Sequence, residues 1–176
     1  MCIRDRLKSL NDIIAALVTV GNQAEIVLLH QERPITFLPW SDDGTNTGLE
    51  FNVQVELPGG KKEPGQTMTV TARAELLEEA GIGDVLCSAP LYHGYRANSA
   101  GHQKERYAME LIIAIGQPTD TDQQVEEGIV KAYTVSLGQV TAHLDNLARR
   151  GYLIEWATLG IDRLLRLILE QQLNAR

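Results

Sequence analysis

Two hydrophobic spacings take turns along this chain: strand-like runs, and stretches whose apolar residues recur three or four apart, as on one helix face. Residues 15–20 and 25–30 are β-rich runs around Gly21-Asn22-Gln23-Ala24, which predicts a hairpin. Gln31 to Arg33 follow, Pro34 ends the strand, and residues 41–47 are a polar loop. Residues 50–57 alternate as a strand that leads to Pro58-Gly59-Gly60, and the loop continues through Glu63-Pro64-Gly65. A helix then begins with Thr67 or Thr69 as N-cap and stops at Gly81, with Val70, Leu76, Leu77 and Ala80 as its apolar face. Beyond it come a strand over residues 85–95 interrupted by Pro90, a polar loop over 96–106, and a strand over 107–115. A polar, acidic loop over 117–127 and a strand over 129–136 follow. The tail turns helical from 137 to 150, with Gly151 as a stop. A last helix runs from about 154 to 173, where Ile161, Leu164, Leu165 and Ile168 form a core-facing stripe. Strands alternating with a central helix and a helical end predict α/β layers.

The central helix carries the chemistry. Glu75, Glu78 and Glu79 are three and four residues apart, so their side chains fall within roughly a 100° arc. Like charges that close repel by a few tenths of a kcal/mol per pair. A hard divalent cation, which prefers oxygen ligands, would reverse that penalty. Taken alone, the three carboxylates also suit a solvated helix face. The Gly-rich entry to the helix favours the other reading, a Mg2+ site beside a loop able to approach phosphate.

Over residues 59–82 the chain resembles the Nudix hydrolases, whose signature is G-x5-E-x7-R-E-U-x-E-E-x-G-U, with U a bulky aliphatic residue. Gly60, Glu75, Leu76, Glu78, Glu79, Gly81 and Ile82 match, while Gln66 stands where Glu is expected and Ala74 where Arg is expected. The resemblance implies an α/β (α+β) fold, an α/β/α sandwich around a mixed β-sheet, over roughly residues 10–173. It implies that Glu75 and Glu79 bind Mg2+ directly, with Mn2+ as an alternative, and that Glu78 is a further or water-mediated ligand with a share in catalysis. The main-chain carbonyl of Gly59 would complete the site, and Gly60 would face the phosphates. The family's Arg holds the neighbouring Glu through charge-assisted hydrogen bonds. Arg73 lies roughly 160° around the helix from Glu75, so it is a poor substitute. Gln66 keeps the size of Glu without its charge. The two departures predict a metal site of looser geometry, and a misplacement of about 1 Å costs about a hundredfold in rate.

In ADP-ribose-cleaving relatives the catalytic base usually precedes a late strand. The Glu126-Glu127 pair stands there, with Glu126 preferred and Glu105 second; an acidic surface loop is the alternative for both. Gln31 and Arg33 resemble the Q-x-R that follows an early strand in ADP-ribose-type members. Arg33 would hold a substrate phosphate, a surface ion pair being the other reading. The four histidines form no metal-ligand spacing and read as structural or exposed; Trp40 reads as core rather than as a base-stacking platform.

The 176 residues are expected to form one domain over residues 10–176 behind a leader over 1–9, whose Met1–Arg6 (MCIRDR) resembles translated sequencing-adapter sequence. A net charge of −7 argues against nucleic-acid binding, yet a bound cation can bridge an acidic site to an anionic substrate. Cys2 and Cys87 make neither a disulfide framework nor a zinc spacing, which points to the cytoplasm. The apolar run 13–20 after a basic start has the look of a signal peptide. It is short, lacks a cleavage site and continues into strand-like residues, so that reading is rejected. No run approaches a membrane span. Dimers are common among ADP-ribose-type relatives, and the early strands would supply a homodimer contact. The expected function is Mg2+-dependent cleavage of the pyrophosphate in a nucleoside diphosphate linked to another group, with ADP-ribose or a nucleotide sugar favoured. Gln66 and Ala74 motivate the alternative, a catalytically impaired domain that binds a nucleotide as a sensor or partner module. A structural protein that only retains the fold is a third reading.

Overall fold

Four consecutive apolar residues, Ile26–Leu29, are all buried, which happens when a strand is covered on both faces. The computed structural model describes residues 10–20, 23–32, 53–91, 96–97, 106–126, 128–155, 157–161 and 163. Its strands are β1 (Leu10–Val20), β2 (Gln23–Glu32), β3 (Val53–Glu56), β4 (Gly59–Lys61), β5 (Asp84–Pro90), β6 (Arg96–Ala97), β7 (Arg106–Ile115), β8 (Ile129–Ser136) and β9 (Leu153–Ile154). The helices are α1 (Met68–Ala80), α2 (Asp122–Glu126) and α3 (Val140–Arg149), and residues 157–161 and 163 are also helical. The strands form one mixed sheet in the order β5-β7-β1-β2-β3-β9, with β4 on β1, β6 on β7 and β8 on β2. On one face Val27, Ile112 and Ala114 pack under Ala72, Leu76 and Ala80 of α1. On the other, Ile26, Leu28, Met109 and Val135 pack under Val140, Leu144 and Leu147 of α3 and under Ala157 and Ile161. The α/β/α sandwich follows from this alternation.

The sheet forks near its middle. β1 pairs β2 antiparallel from Leu17↔Ile26 to Val20↔Gln23, the predicted hairpin. Towards its start β1 pairs β4 instead, through Ile13↔Gly59, Asp12↔Gly60 and Asn11↔Lys61. β2 meanwhile passes to β3, from Leu29↔Glu56 to Glu32↔Val53. Gly59 and Gly60 therefore lie in the fork between diverging strands. The run weighed as a signal peptide is the parallel partner of β7 from Leu10↔Arg106 to Val18↔Ala114. β1 and β2, named above as a dimer contact, have hydrogen-bonded neighbours along both edges. Among the described residues, no helix is long and apolar enough to cross a membrane.

Several expectations need correction. The Gly-rich loop is partly a strand, β4, because its backbone completes the ladder of β1. The loop 96–106 contributes β6 for the same reason, pairing Arg96↔Tyr107. β5 ends at Pro90, and residues 92–95 of the expected strand lie outside the described residues. The acidic loop 117–127 contains the short helix α2. Residues 137–139 form a turn before α3, and Ile154 belongs to β9, so the last helix begins later than expected. Val70 and Leu77, expected on the buried face of α1, are 52% and 51% exposed, whereas Glu79 is 2% exposed. The helix is rotated so that its buried arc, Thr71, Ala72, Leu76, Glu79 and Ala80, takes in a carboxylate.

Candidate active site

α1 is positioned by its own ends. The Thr67 hydroxyl accepts from the Val70 N–H at 3.2 Å as N-cap, and Gly81 turns left-handed at φ +68° to close the helix. With both ends set, Glu75 and Glu79 face the fork and Glu78 faces solvent.

The Gly59 N–H donates to Glu79 Oε2 at 2.7 Å. A buried carboxylate is costly without such partners, and a hydrogen bond to an ionised acceptor is of the stronger kind. The Glu75 carboxylate lies directly against the Cα of Gly60: a Cβ there would fall on Glu75 Oε1 and Cδ. Gly60 is thus required by close approach and not by its backbone angles. The Gly59 N–H is committed to Glu79, and the carbonyl expected to complete the metal site is a separate group of the same residue. Two carboxylates and main-chain oxygen make an all-oxygen donor set that fits a hard cation. Among the described residues, no three His, Cys, Asp or Glu side chains are gathered into a metal cage. Mg2+ suits such an open set, since it is commonly held by one or two carboxylates, waters and substrate phosphates.

Gln66, a departure from the signature, and Arg73, the neighbour of the other, both have partners outside the carboxylate pair. Gln66 Oε1 accepts from the Thr71 hydroxyl at 2.9 Å, and the Arg73 guanidinium donates to Ser88 Oγ on β5 at 3.2 Å. Ala74 is half-buried. Two further buried carboxylates escaped the sequence reading. Glu110 on β7 is 3% exposed and accepts from Thr69 Oγ1 at 2.7 Å. Glu56 on β3 is 9% exposed and accepts from Gln54 Nε2 at 3.2 Å. Their signal was a lone Glu inside an otherwise apolar or alternating strand.

Glu126 sits exposed on α2, which packs against α1. Gln31 is buried at a bulge in β2, opposite Gln54 on one side and Ile129 on the other. The end of β2 is tied to the segment after α2, where the Glu32 N–H donates to Gly128 O at 2.8 Å. The structure so brings Gln31 and Glu126 to neighbouring elements. Arg33, Glu105 and Glu127 lie outside the described residues, as do Trp40 and the leader.

On the α3 face the Tyr133 hydroxyl lies 2.8 Å from His30 Nε2 and 3.0 Å from His143 Nε2. Burial, reinforced by Tyr152, pushes the Tyr133 phenol well above its ordinary range, so it stays protonated. It therefore donates to one imidazole and accepts from the other. Burial and then the charge of Lys131 lower the pKa of His143.

A NUDIX domain family model matches residues 11–157. Among solved structures, one from a study of MutT from the fish pathogen Aliivibrio salmonicida and from Vibrio cholerae is similar at 19% identity. It covers 90% of this chain and 96% of that one, with a TM-score of 0.53. A NUDIX hydrolase structure from Listeria monocytogenes is 15% identical over 94% of this chain and 95% of that one, TM-score 0.53. A Nudix hydrolase from M. smegmatis, RenU, is 16% identical over 93% and 87%, TM-score 0.53. At these identities the likeness concerns the fold. No curated protein matches the chain significantly.

Proposed function

The chain belongs to the Nudix family, whose general activity is pyrophosphohydrolysis with a divalent metal ion, and on that premise we propose that it hydrolyses a nucleoside diphosphate linked to another moiety. ADP-ribose or a nucleotide sugar is the favoured substrate and Mg2+ the favoured ion. The observation that carries this reading is the pair of carboxylates packed on a Gly-Gly backbone: Glu79 bonded to the Gly59 N–H and Glu75 seated on Gly60.

A bound divalent ion would supply charge neutralisation on the pyrophosphate and a water of lowered pKa. The chain's own groups do the rest. Glu75 and Glu79 would hold the ion, and Glu78, exposed beside them, would serve a water-mediated contact. Gly60, whose missing side chain makes room for the Glu75 carboxylate, is also assigned to the substrate phosphates. The Glu126 carboxylate accepts the proton of the attacking water. The water oxygen bonds to phosphorus, the bridging P–O bond breaks, and the leaving phosphate carries away that bond's electron pair. Gln31 and Arg33 are assigned to the substrate, and Glu105 and Glu127 stand as alternative bases. A reducing cytoplasm suits the free, exposed Cys87.

A second reading is favoured by Ala74, which stands half-buried where the signature has Arg, with Arg73 bonded to Ser88 and Gln66 to Thr71. In that reading the domain binds a nucleotide with little turnover. A panel of ADP-ribose, nucleotide sugars, NADH and nucleoside triphosphates with Mg2+ or Mn2+ separates the two. Turnover of a diphosphate-linked substrate supports the enzyme; tight binding without turnover across the panel supports the sensor. In the enzyme reading Ala74→Arg changes kcat little, whereas a gain of about tenfold or more, 1.4 kcal/mol of barrier, would show an impaired site.

A further inference from the structure

The last carbonyls of a helix have no partner within it. In α1 these belong to the turn that carries Glu78 and Glu79, and one segment, residues 119–124, gathers them. The Thr119 N–H donates to Ala80 O at 3.0 Å and its hydroxyl to Gly81 O at 3.4 Å. The Thr121 hydroxyl donates to Glu78 O. Gln124 Nε2 donates to Glu79 O at 2.8 Å.

Gln124 is the centre of this clasp. It is 6% exposed, and its amide is used on both sides. Nε2 donates a second bond to Thr119 O at 3.0 Å, while Oε1 accepts from the Thr121 N–H at 3.2 Å. A buried amide with donor and acceptor both engaged fixes the two segments it joins. One of them is the backbone of Glu79, whose carboxylate is anchored at its other end by Gly59. The other is α2, where Glu126 stands two residues further on.

We propose that Gln124 is a positioning residue for the Nudix reaction: through the carbonyl of Glu79 it sets the metal-holding carboxylate, and through α2 it sets the register between that carboxylate and Glu126. The inference rests on the functional reading above. The chemistry requires an amide. Leu at position 124 would keep the bulk but leave three backbone groups without this partner. Glu would set carboxylate oxygen against the carbonyls of Glu79 and Thr119. Outer partners of this kind typically change metal affinity or activity about 10- to 100-fold when removed.

The test measures Mn2+ affinity of the full chain by electron paramagnetic resonance, with kcat and KM on the best substrate of the panel, for the wild type, Gln124→Leu and Gln124→Glu. Folding is checked by circular dichroism. The expected result is weaker Mn2+ binding and a lower kcat, each about 10- to 100-fold, with KM little changed. In a Glu79→Gln background, Gln124→Leu should weaken Mn2+ binding no further. A folded Gln124→Leu with wild-type Mn2+ affinity and kcat overturns the inference alone. A wild type that neither binds Mn2+ nor turns over any substrate overturns the functional reading itself. Should neither variant at 124 fold, Thr121→Val removes the hydroxyl bond to Glu78 O from a half-buried position; unchanged Mn2+ affinity there also overturns the clasp.

Discussion

Replacing Gly60 by Ala adds a single methyl, and its place is already taken by the Glu75 carboxylate. The backbone of Gly60 has no left-handed angle, so the new residue is unstrained, and the stiffer unfolded chain contributes about 0.4–1 kcal/mol to stability. The clash is with the far end of a flexible, half-buried side chain, so Glu75 swings away at modest cost. The two effects offset, and the melting temperature should stay within about 2 °C of wild type. Activity should respond differently. If Glu75 holds the ion as proposed, moving its carboxylate by about 1 Å or more costs about a hundredfold in rate, or about 2.7 kcal/mol of barrier. Gly65→Ala is the matched control. Its φ is +89° and nothing lies within 4 Å of a Cβ there, so the change brings backbone strain without a clash. That strain costs about 1–2 kcal/mol, or about 2–8 °C in melting temperature, with kcat retained. The assay is metal-dependent turnover beside a thermal melt for both variants. A Gly60→Ala protein with wild-type turnover would refute the placement of Glu75.

Thr69→Val removes the hydroxyl that bonds the buried Glu110 carboxylate, so it should cost about 1–3 kcal/mol in denaturant unfolding while Mn2+ affinity is retained; loss of Mn2+ binding instead would place Glu110 in the metal site. His143 titrates below its ordinary 6.5 because of burial and Lys131, so the folded state takes up its proton less readily than the unfolded chain. Between that lowered pKa and 6.5 the unfolded state binds more protons, and stability falls as pH drops through this window. His143→Phe loses the bond to Tyr133 and is less stable near pH 7, but should show a shallower loss on acidification; an unchanged slope in pH-dependent melts would exclude His143 as its source.

The legible parts of the sequence were those set by local chemistry. Thr67 and Gly81 bound α1 because capping is a contact within one turn, and β8 spans the residues 129–136 read as a strand. The hairpin was read from its turn residues. What was missed depends on partners distant in the chain. Gly59–Lys61 became a strand only because β1 lacks a partner where β2 diverges. The apolar face of α1 was misassigned at Val70 and Leu77 because periodicity alone does not reveal that a Gly59 N–H draws Glu79 inward. Gln124 stands in a polar stretch where an amide carries no signal; its role appears only when Glu79 O lies opposite it.

Glu79 is proposed to hold the ion for cleavage of a pyrophosphate. Glu79→Gln keeps an oxygen to accept the Gly59 N–H and removes the charge, so the fold should survive while metal binding is weakened. The most direct measurement is Mg2+-dependent hydrolysis of ADP-ribose by the wild type and by Glu79→Gln, followed by release of AMP. That role for Glu79 requires turnover by the wild type and its loss in a variant with an unchanged circular-dichroism spectrum. Wild-type turnover in Glu79→Gln would contradict it.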